Sequence, residues 1–148
     1  MGNAATIRRG HDKEYGMGMT THWAALLTLA TLALLFGCVW YVGAARGKYK
    51  VAAPATAGPE PFERAFRVQM NTLENAVLFL PALWLATRYF SPRIAAGLGA
   101  VWVVARIWYA FAYARNPKSR GAPIVLAFAA WGALMMLAAW GVLTSPLW

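Results

Sequence analysis

The sequence predicts an all-α membrane protein, a bundle of four transmembrane helices, and three observations lead to that fold class. Of the 148 residues, 60% are hydrophobic and only 13% are charged, about half the charged share of an average soluble domain. The apolar residues fall into four long runs, separated by short segments that are basic or contain proline. The net charge is +9, and the basic residues flank the apolar runs, which is typical of membrane helices rather than of nucleic-acid-binding domains.

The chain begins with a polar tail, residues 1–21, and continues as a single transmembrane domain over residues 22–148. The tail is rich in glycine, mixed in charge and without apolar periodicity, so we predict that it is mobile. An uncharged apolar run follows at 23–45. About 23 residues at 1.5 Å each span roughly 34 Å, which is enough for a tilted crossing of a membrane.

Proline and serine residues delimit the second and third helices. Three prolines in the first loop preclude a regular helix before the second apolar run, which contains Pro81. Ser91 and Pro92 form a short turn, and a proline suits the first position of the helix that follows. The turn is short enough to make the second and third helices antiparallel neighbours. The predicted helices after the first are 62–89, 92–114 and 122–143.

The second helix carries polar residues on one face. Arg67, Asn71 and Glu74 are spaced i, i+4 and i+7, so their side chains lie above one another. An ionised side chain near the bilayer centre costs about 2.5–3.5 kcal/mol on insertion scales, and it usually faces a partner or a wet cavity. Two interpretations are open: a structural pair between Arg67 and Glu74, or a site for a small zwitterionic ligand.

A second polar face is predicted on the third helix. Trp102, Arg106, Tyr109 and Tyr113 recur at i, i+4, i+7 and i+11. Arg106 lies well inside the apolar run, and we expect it to have a structural partner, either Glu74 or carbonyl groups at a helix end. The two tyrosines are either ligand contacts or residues of the aromatic belt at the membrane interface.

The basic residues of the short loops predict the orientation. Six of them lie in the first and third loops, which favours a cytoplasmic position for both: Arg46, Lys48, Lys50, Arg115, Lys118 and Arg120. Both polar faces open toward that side, so one cytoplasm-facing pocket can collect them. We expect a bacterial inner membrane rather than the endoplasmic reticulum.

Metal and disulfide chemistry are not predicted. His11 and His22 lack metal-ligand spacing with a cysteine or a pair of carboxylates. The single cysteine, Cys38, lies in an apolar run and has no partner for an intrachain disulfide.

Three segments over residues 46–123 carry a family resemblance: RGKYKV, PEPFERAFRVQMNTLEN and ARIWYAFAYARNPKSRGAP. In this order and spacing the chain resembles the MAPEG family, the membrane-associated proteins in eicosanoid and glutathione metabolism, in its leukotriene C4 synthase and microsomal glutathione transferase branch. The resemblance implies four-helix protomers that form a homotrimer. It also implies that glutathione binds between neighbouring protomers, near the cytoplasmic face of the membrane.

The resemblance also implies a role for particular residues. Glutathione would contact five residues of one protomer: Arg67, Asn71, Glu74, Tyr109 and Tyr113. Arg46 and Gln69 would come from the next protomer, and Arg120 would stabilise the glutathione thiolate. Gln69 lies about 200° around its helix from Arg67, so an interhelical hydrogen bond is an equally open role for it.

This sequence departs from the leukotriene C4 synthase pattern at two positions. Asn75 stands where those synthases commonly have a tyrosine, and Gly47 stands where they have a second arginine. A leukotriene substrate is therefore not expected.

The expected function is that of a membrane-bound glutathione transferase, with glutathione as co-substrate and no metal. It would conjugate lipophilic electrophiles, and it could also act as a peroxidase on lipid hydroperoxides. One alternative is a non-catalytic, lipid-binding member of the family, which would need no partner for a thiolate; the presence of Arg67, Asn71, Glu74 and Arg120 argues against it. The other is a small multidrug exporter, which would need a carboxylate in the first membrane helix, where none occurs.

Overall fold

The computed structural model describes residues 4–145, with side chains described from Thr21 onward. The described part consists of helices joined by loops and contains no strand, which confirms the all-α prediction. The helices are α1 (Ala4–Tyr49), α2 (Glu60–Tyr89), α3 (Pro92–Arg115) and α4 (Gly121–Thr144), with a short 3₁₀ helix (Pro117–Arg120) before α4. The predicted first helix, 23–45, lies within α1, which begins inside the predicted tail, 1–21, and the mobility of that tail stays a prediction.

Three segments of the described residues are long and apolar enough to cross a membrane, namely Thr21–Tyr49, Pro92–Arg115 and Pro117–Thr144. The remaining helix of the bundle, α2, has 30 residues and is therefore also long enough to cross a membrane. It is less apolar because its first half carries the charged residues that the sequence placed on one face. α2 therefore combines a charged first half with a largely apolar second half.

The ends of the helices have local causes. α1 ends where Lys50 adopts a left-handed backbone conformation, with φ of 55°, and the Val51 N–H donates to the Arg46 carbonyl at 3.1 Å. At the start of α3, the Ser91 hydroxyl accepts a hydrogen bond from the Ile94 N–H at 3.5 Å. The predicted turn between α2 and α3 is therefore present, and the two helices contact each other.

The helix α2 packs against all three other helices. Phe79 of α2 stacks on Trp102 of α3 with a centroid separation of 3.8 Å and an interplanar angle of 3°. Small residues allow the helices to approach closely elsewhere. At Gly141 of α4, a Cβ atom would lie 2.4 Å from the carbonyl oxygen of Tyr89, so α4 crosses directly over the end of α2.

Candidate functional site

Four of the predicted site residues form one connected group at the end of the bundle that carries the first and third loops. The side-chain amide of Asn71 donates to the hydroxyl of Tyr109 at 3.0 Å. The ring of Tyr109 stacks on that of Tyr113, with centroids 5.7 Å apart and an angle of 8° between the planes. The Tyr113 hydroxyl accepts a hydrogen bond from Arg120 at 3.3 Å. We call Asn71, Tyr109, Tyr113 and Arg120 the polar network.

Arg106 supports this network from inside the bundle. It is 1% exposed, its guanidinium donates to the Thr72 hydroxyl at 2.9 Å, and its carbon Cζ lies 4.2 Å from the centroid of the Tyr109 ring. Its Nε has no hydrogen-bond partner among the described residues. Tyr109 is thus held through its hydroxyl by Asn71 and through its ring by a buried cation.

Arg106 has a structural partner, as predicted, but the partner is Thr72 rather than Glu74 or carbonyl groups at a helix end. Thr72 is on the buried face of α2, whereas the Glu74 side chain is exposed. Thr72 was missed because a threonine between Val68 and Ala76, on the apolar face, gives no signal in the sequence beyond that of a small core residue. Its hydroxyl also donates to the Val68 carbonyl at 2.7 Å, and its oxygen is therefore free to accept from Arg106.

Arg67 and Glu74 lie on the exposed face of α2, next to Asn71. They are two helical turns apart, or about 10 Å along the axis. Neither has a hydrogen bond or an ion pair within the described part of the chain, where the one salt bridge joins Arg64 to Glu60. The structural pair between Arg67 and Glu74 is therefore not formed, and two opposite charges stand unpaired beside the polar network.

Arg46 and Gln69 are not brought to this group within one protomer. Arg46 donates to the Ala55 carbonyl at 2.8 Å, and its guanidinium carbon lies 5.1 Å from the centroid of the Phe62 ring. Arg46 therefore fixes the first loop against the start of α2. Gln69 is half-buried on the side of α2 away from Arg67.

The polar network favours the binding of an anion at the end where Arg120 lies. Arg120 is exposed and immediately precedes α4, which begins at Gly121. The start of a helix carries a partial positive charge, which adds to that of the guanidinium. The described residues contain no group of three or more His, Cys, Asp or Glu side chains that could hold a metal ion. The side chains of the polar network themselves offer charge stabilisation and hydrogen bonding by arginine, tyrosine and amide groups.

Asn75, one of the two departures from the synthase pattern, takes no part in the network. Its side-chain amide donates to the carbonyl of Asn71 at 2.8 Å, one turn back on the same helix. The side chain is thus turned along α2 rather than toward Tyr109.

Comparison with known proteins gives a family. Residues 23–140 match the MAPEG family. An uncharacterized protein of Synechocystis sp., sll1147, is 46% identical over 126 residues, which is 85% of this chain and 89% of that protein. Microsomal glutathione S-transferase 2 of Bos taurus is 37% identical over 80% of this chain and 85% of its own length. Leukotriene C4 synthase of Cavia porcellus is 38% identical over 81% of each chain. These matches confirm the resemblance carried by the motifs, and the chain is an integral membrane protein that belongs to the MAPEG family.

Proposed function

We propose that this protein is a membrane-bound glutathione transferase that conjugates a glutathione thiolate to lipophilic electrophiles. Two relatives are named for glutathione transfer and for leukotriene C4 synthesis. The observation that carries the proposal is the exposed and unpaired pair of charges, Arg67 and Glu74, on either side of Asn71. Such charges on a membrane helix are costly unless a partner covers them.

Glutathione matches this arrangement in its chemical groups. It has two carboxylates, one ammonium group and two amides, so its site needs guanidinium groups, one carboxylate and neutral hydrogen-bonding groups. Arg67 would bind a carboxylate and Glu74 the ammonium group. Asn71, Tyr109 and Tyr113 would contact the peptide between them.

A neighbouring protomer would complete the site. The protein would be a homotrimer in which Arg46 and Gln69 of one protomer face the polar network of the next. The support is geometric, since Gln69 and Arg67 lie on opposite sides of α2, as expected if each serves a different site. Burial of Arg67 and Glu74 at such a contact would also remove two charges from the membrane-exposed surface. The site would lie at the cytoplasmic face of the membrane, a bacterial inner membrane by our expectation.

Arg120 would activate the nucleophile. A free thiol has a pKa of about 8.5 and is mostly protonated at neutral pH, and a nearby guanidinium lowers that pKa because it stabilises the thiolate. The thiol proton passes to water, and the thiolate sulfur then forms a bond to an electrophilic carbon. In a substitution, the leaving group departs with its bonding electrons. In an addition to an unsaturated carbonyl compound, the resulting enolate takes a proton from water. No nucleophile from the protein is needed.

Lipid hydroperoxides are the second class of electrophile. The thiolate would attack the terminal peroxide oxygen, and the O–O bond would break to give glutathione sulfenic acid and an alkoxide, which takes a proton from water to become the alcohol. A second glutathione would convert that acid to the disulfide and water. The apolar surroundings of the network suit any electrophile that is dissolved in the bilayer.

Glutathione titration calorimetry on the purified protein in mild detergent tests the proposal. We expect saturable binding that Arg67→Ala and Glu74→Gln each weaken at least tenfold, because each leaves one charge of the ligand unpaired, on the order of 2 kcal/mol. The matched control is Arg64→Ala, which removes an arginine of the same helix that is already paired with Glu60. Wild-type protein that binds no glutathione would instead favour the non-catalytic lipid binder.

A further inference from the structure

A groove of about 820 Å³ runs between α1 and α3, and the proposed reaction does not use it. Ala33 and Gly37 line one wall, Ala110 and Phe111 line the other, and Val68 of α2 lies at the base. Small side chains on both helices leave this space open. Arg115, in the last turn of α3, is the one charged residue among those that line it.

The groove is separate from the candidate glutathione site. Arg67 and Glu74 project from the exposed face of α2, whereas the groove is bounded by α1 and α3. The two share only a wall, since Cys38 and Val68 line the groove and also pack in one cluster with the tyrosines of the polar network. An occupant of the groove would lie behind those tyrosines and would not compete with glutathione.

The length of the groove matches one leaflet of a bilayer. Its lining on α1 extends from Ala30 to Tyr41, a rise of about 16 Å, which is half of the roughly 30 Å hydrocarbon core. α1 and α3 run in the same direction, so Tyr41 and Arg115 lie at the same end, near the first and third loops. The groove therefore begins beside a cation at the membrane surface and ends near the middle of the bilayer.

We propose that this groove binds one acyl chain of an anionic phospholipid, whose phosphate group contacts Arg115. The exposed guanidinium of Arg115 has no hydrogen bond or ion pair within the described residues, and guanidinium groups bind phosphate through paired charge-assisted hydrogen bonds. Lys118, which follows in the 3₁₀ helix, adds positive charge at the same end and favours anionic over zwitterionic headgroups. The second acyl chain stays in the surrounding bilayer, because the groove is open along Gly37 and Phe111, both of which are exposed.

Two pairs of variants test the acyl chain and the headgroup separately. A Cβ atom added at either Gly37 or Gly43 meets no atom within 4 Å, but only Gly37 lines the groove. Gly37→Leu therefore fills the groove, and Gly43→Leu is its matched control on the same helix. Arg115→Gln removes the charge beside the groove, and Arg93→Gln removes an exposed charge from the other end of α3.

The measurement is native mass spectrometry of the full chain in neutral detergent, with dioleoyl phosphatidylglycerol or dioleoyl phosphatidylcholine added. We expect the wild type to retain more phosphatidylglycerol than phosphatidylcholine. Arg115→Gln should weaken phosphatidylglycerol binding about fivefold and remove the preference, since one basic residue near the membrane surface contributes attraction of that order. Gly37→Leu should reduce the binding of both lipids, and neither control should change it.

Three results would overturn the proposal. Equal retention of the two lipids by the wild type would remove the role of Arg115. Unchanged lipid binding in Gly37→Leu would place the acyl chain outside the groove. A change of oligomeric state in Gly37→Leu, without loss of lipid, would show that a second copy of the chain occupies the groove. Glutathione affinity, measured on the same samples, should be unaltered in all four variants.

Discussion

The Arg120 guanidinium donates a hydrogen bond to the Tyr113 hydroxyl at 3.3 Å, and its carbon Cζ lies 5.2 Å from the centroid of the same ring. Tyr113 stacks on Tyr109, which in turn lies over the buried guanidinium of Arg106. Two tyrosine rings thus lie between two guanidinium groups. An exposed arginine is thereby positioned by contacts that extend into the core of the bundle.

Tyr113→Phe removes the hydroxyl that accepts from Arg120 and that would also contact glutathione. The ring, with its stacking on Tyr109 and its contact with Arg120, is retained, whereas the hydrogen bond from Arg120 is lost. We expect turnover with glutathione to fall by less in Tyr113→Phe than in Arg120→Ala. Tyr113→Leu also removes the ring, so its turnover should be lower than that of Tyr113→Phe. Equal activity of the Phe and Leu variants would contradict a positioning role for the ring.

Thr72→Val tests the buried partner of Arg106. The substitution removes the one described hydrogen bond of a guanidinium that is 1% exposed, which costs about 1–3 kcal/mol of unfolding free energy. Thr87→Val is the matched control, because Thr87 is also buried on α2 and donates to a carbonyl four residues back, but binds no charged group. Thermal unfolding in detergent should show a clearly larger loss of stability for Thr72→Val than for Thr87→Val. Equal losses of stability would mean that Thr72 contributes only to packing.

Gly141→Ala tests the crossing of α4 over the end of α2. The added Cβ would lie 2.4 Å from the backbone oxygen of Tyr89, which cannot move aside as a flexible side chain can. We expect a loss of about 1–3 kcal/mol in unfolding free energy. Gly132→Ala, in the same helix, meets no atom within 4 Å and should be neutral or stabilising because alanine favours the helix. A stable Gly141→Ala protein would mean that the two helices are farther apart.

The homotrimer is tested by native mass spectrometry of the wild type in mild detergent, where trimers should predominate. The physical reason is the exposed Arg67 and Glu74, which lack partners within the described protomer. Only monomers or dimers in the wild type would contradict the assembly.

A double variant, Arg67→Leu with Glu74→Leu, should lose glutathione affinity.

Most of the fold could be predicted from the sequence because its signals are local. Pro92 begins α3 where the Ser91–Pro92 pair predicted, and the apolar runs are long enough to identify membrane helices without knowledge of their packing. The helical spacing of Arg67, Asn71 and Glu74 likewise placed them on one face of α2.

The contacts between helices could not be predicted in the same way. Whether Asn71 reaches Tyr109 depends on the rotation of α2 relative to α3. That rotation depends on packing elsewhere along the two helices, for example the stacking of Phe79 on Trp102. Thr72 gave no signal as the partner of Arg106 because a threonine on an apolar face usually bonds to its own helix, as Thr87 does. Sequence periodicity identifies a face of a helix, and the partner of each side chain depends on tertiary packing.

The ionisation of bound glutathione in Arg120→Ala tests the central claim most directly. The ultraviolet absorbance of the thiolate, followed during a pH titration of the complex, gives the pKa of the bound thiol. We predict a thiol pKa below that of free glutathione in the wild type and a higher value in Arg120→Ala, with glutathione affinity largely retained. Turnover near neutral pH should fall on the order of a hundredfold, as when one electrostatic contact to a reacting anion is removed. A variant with the wild-type thiol pKa and wild-type turnover toward an aromatic electrophile would contradict the account and leave Arg120 as a loop charge.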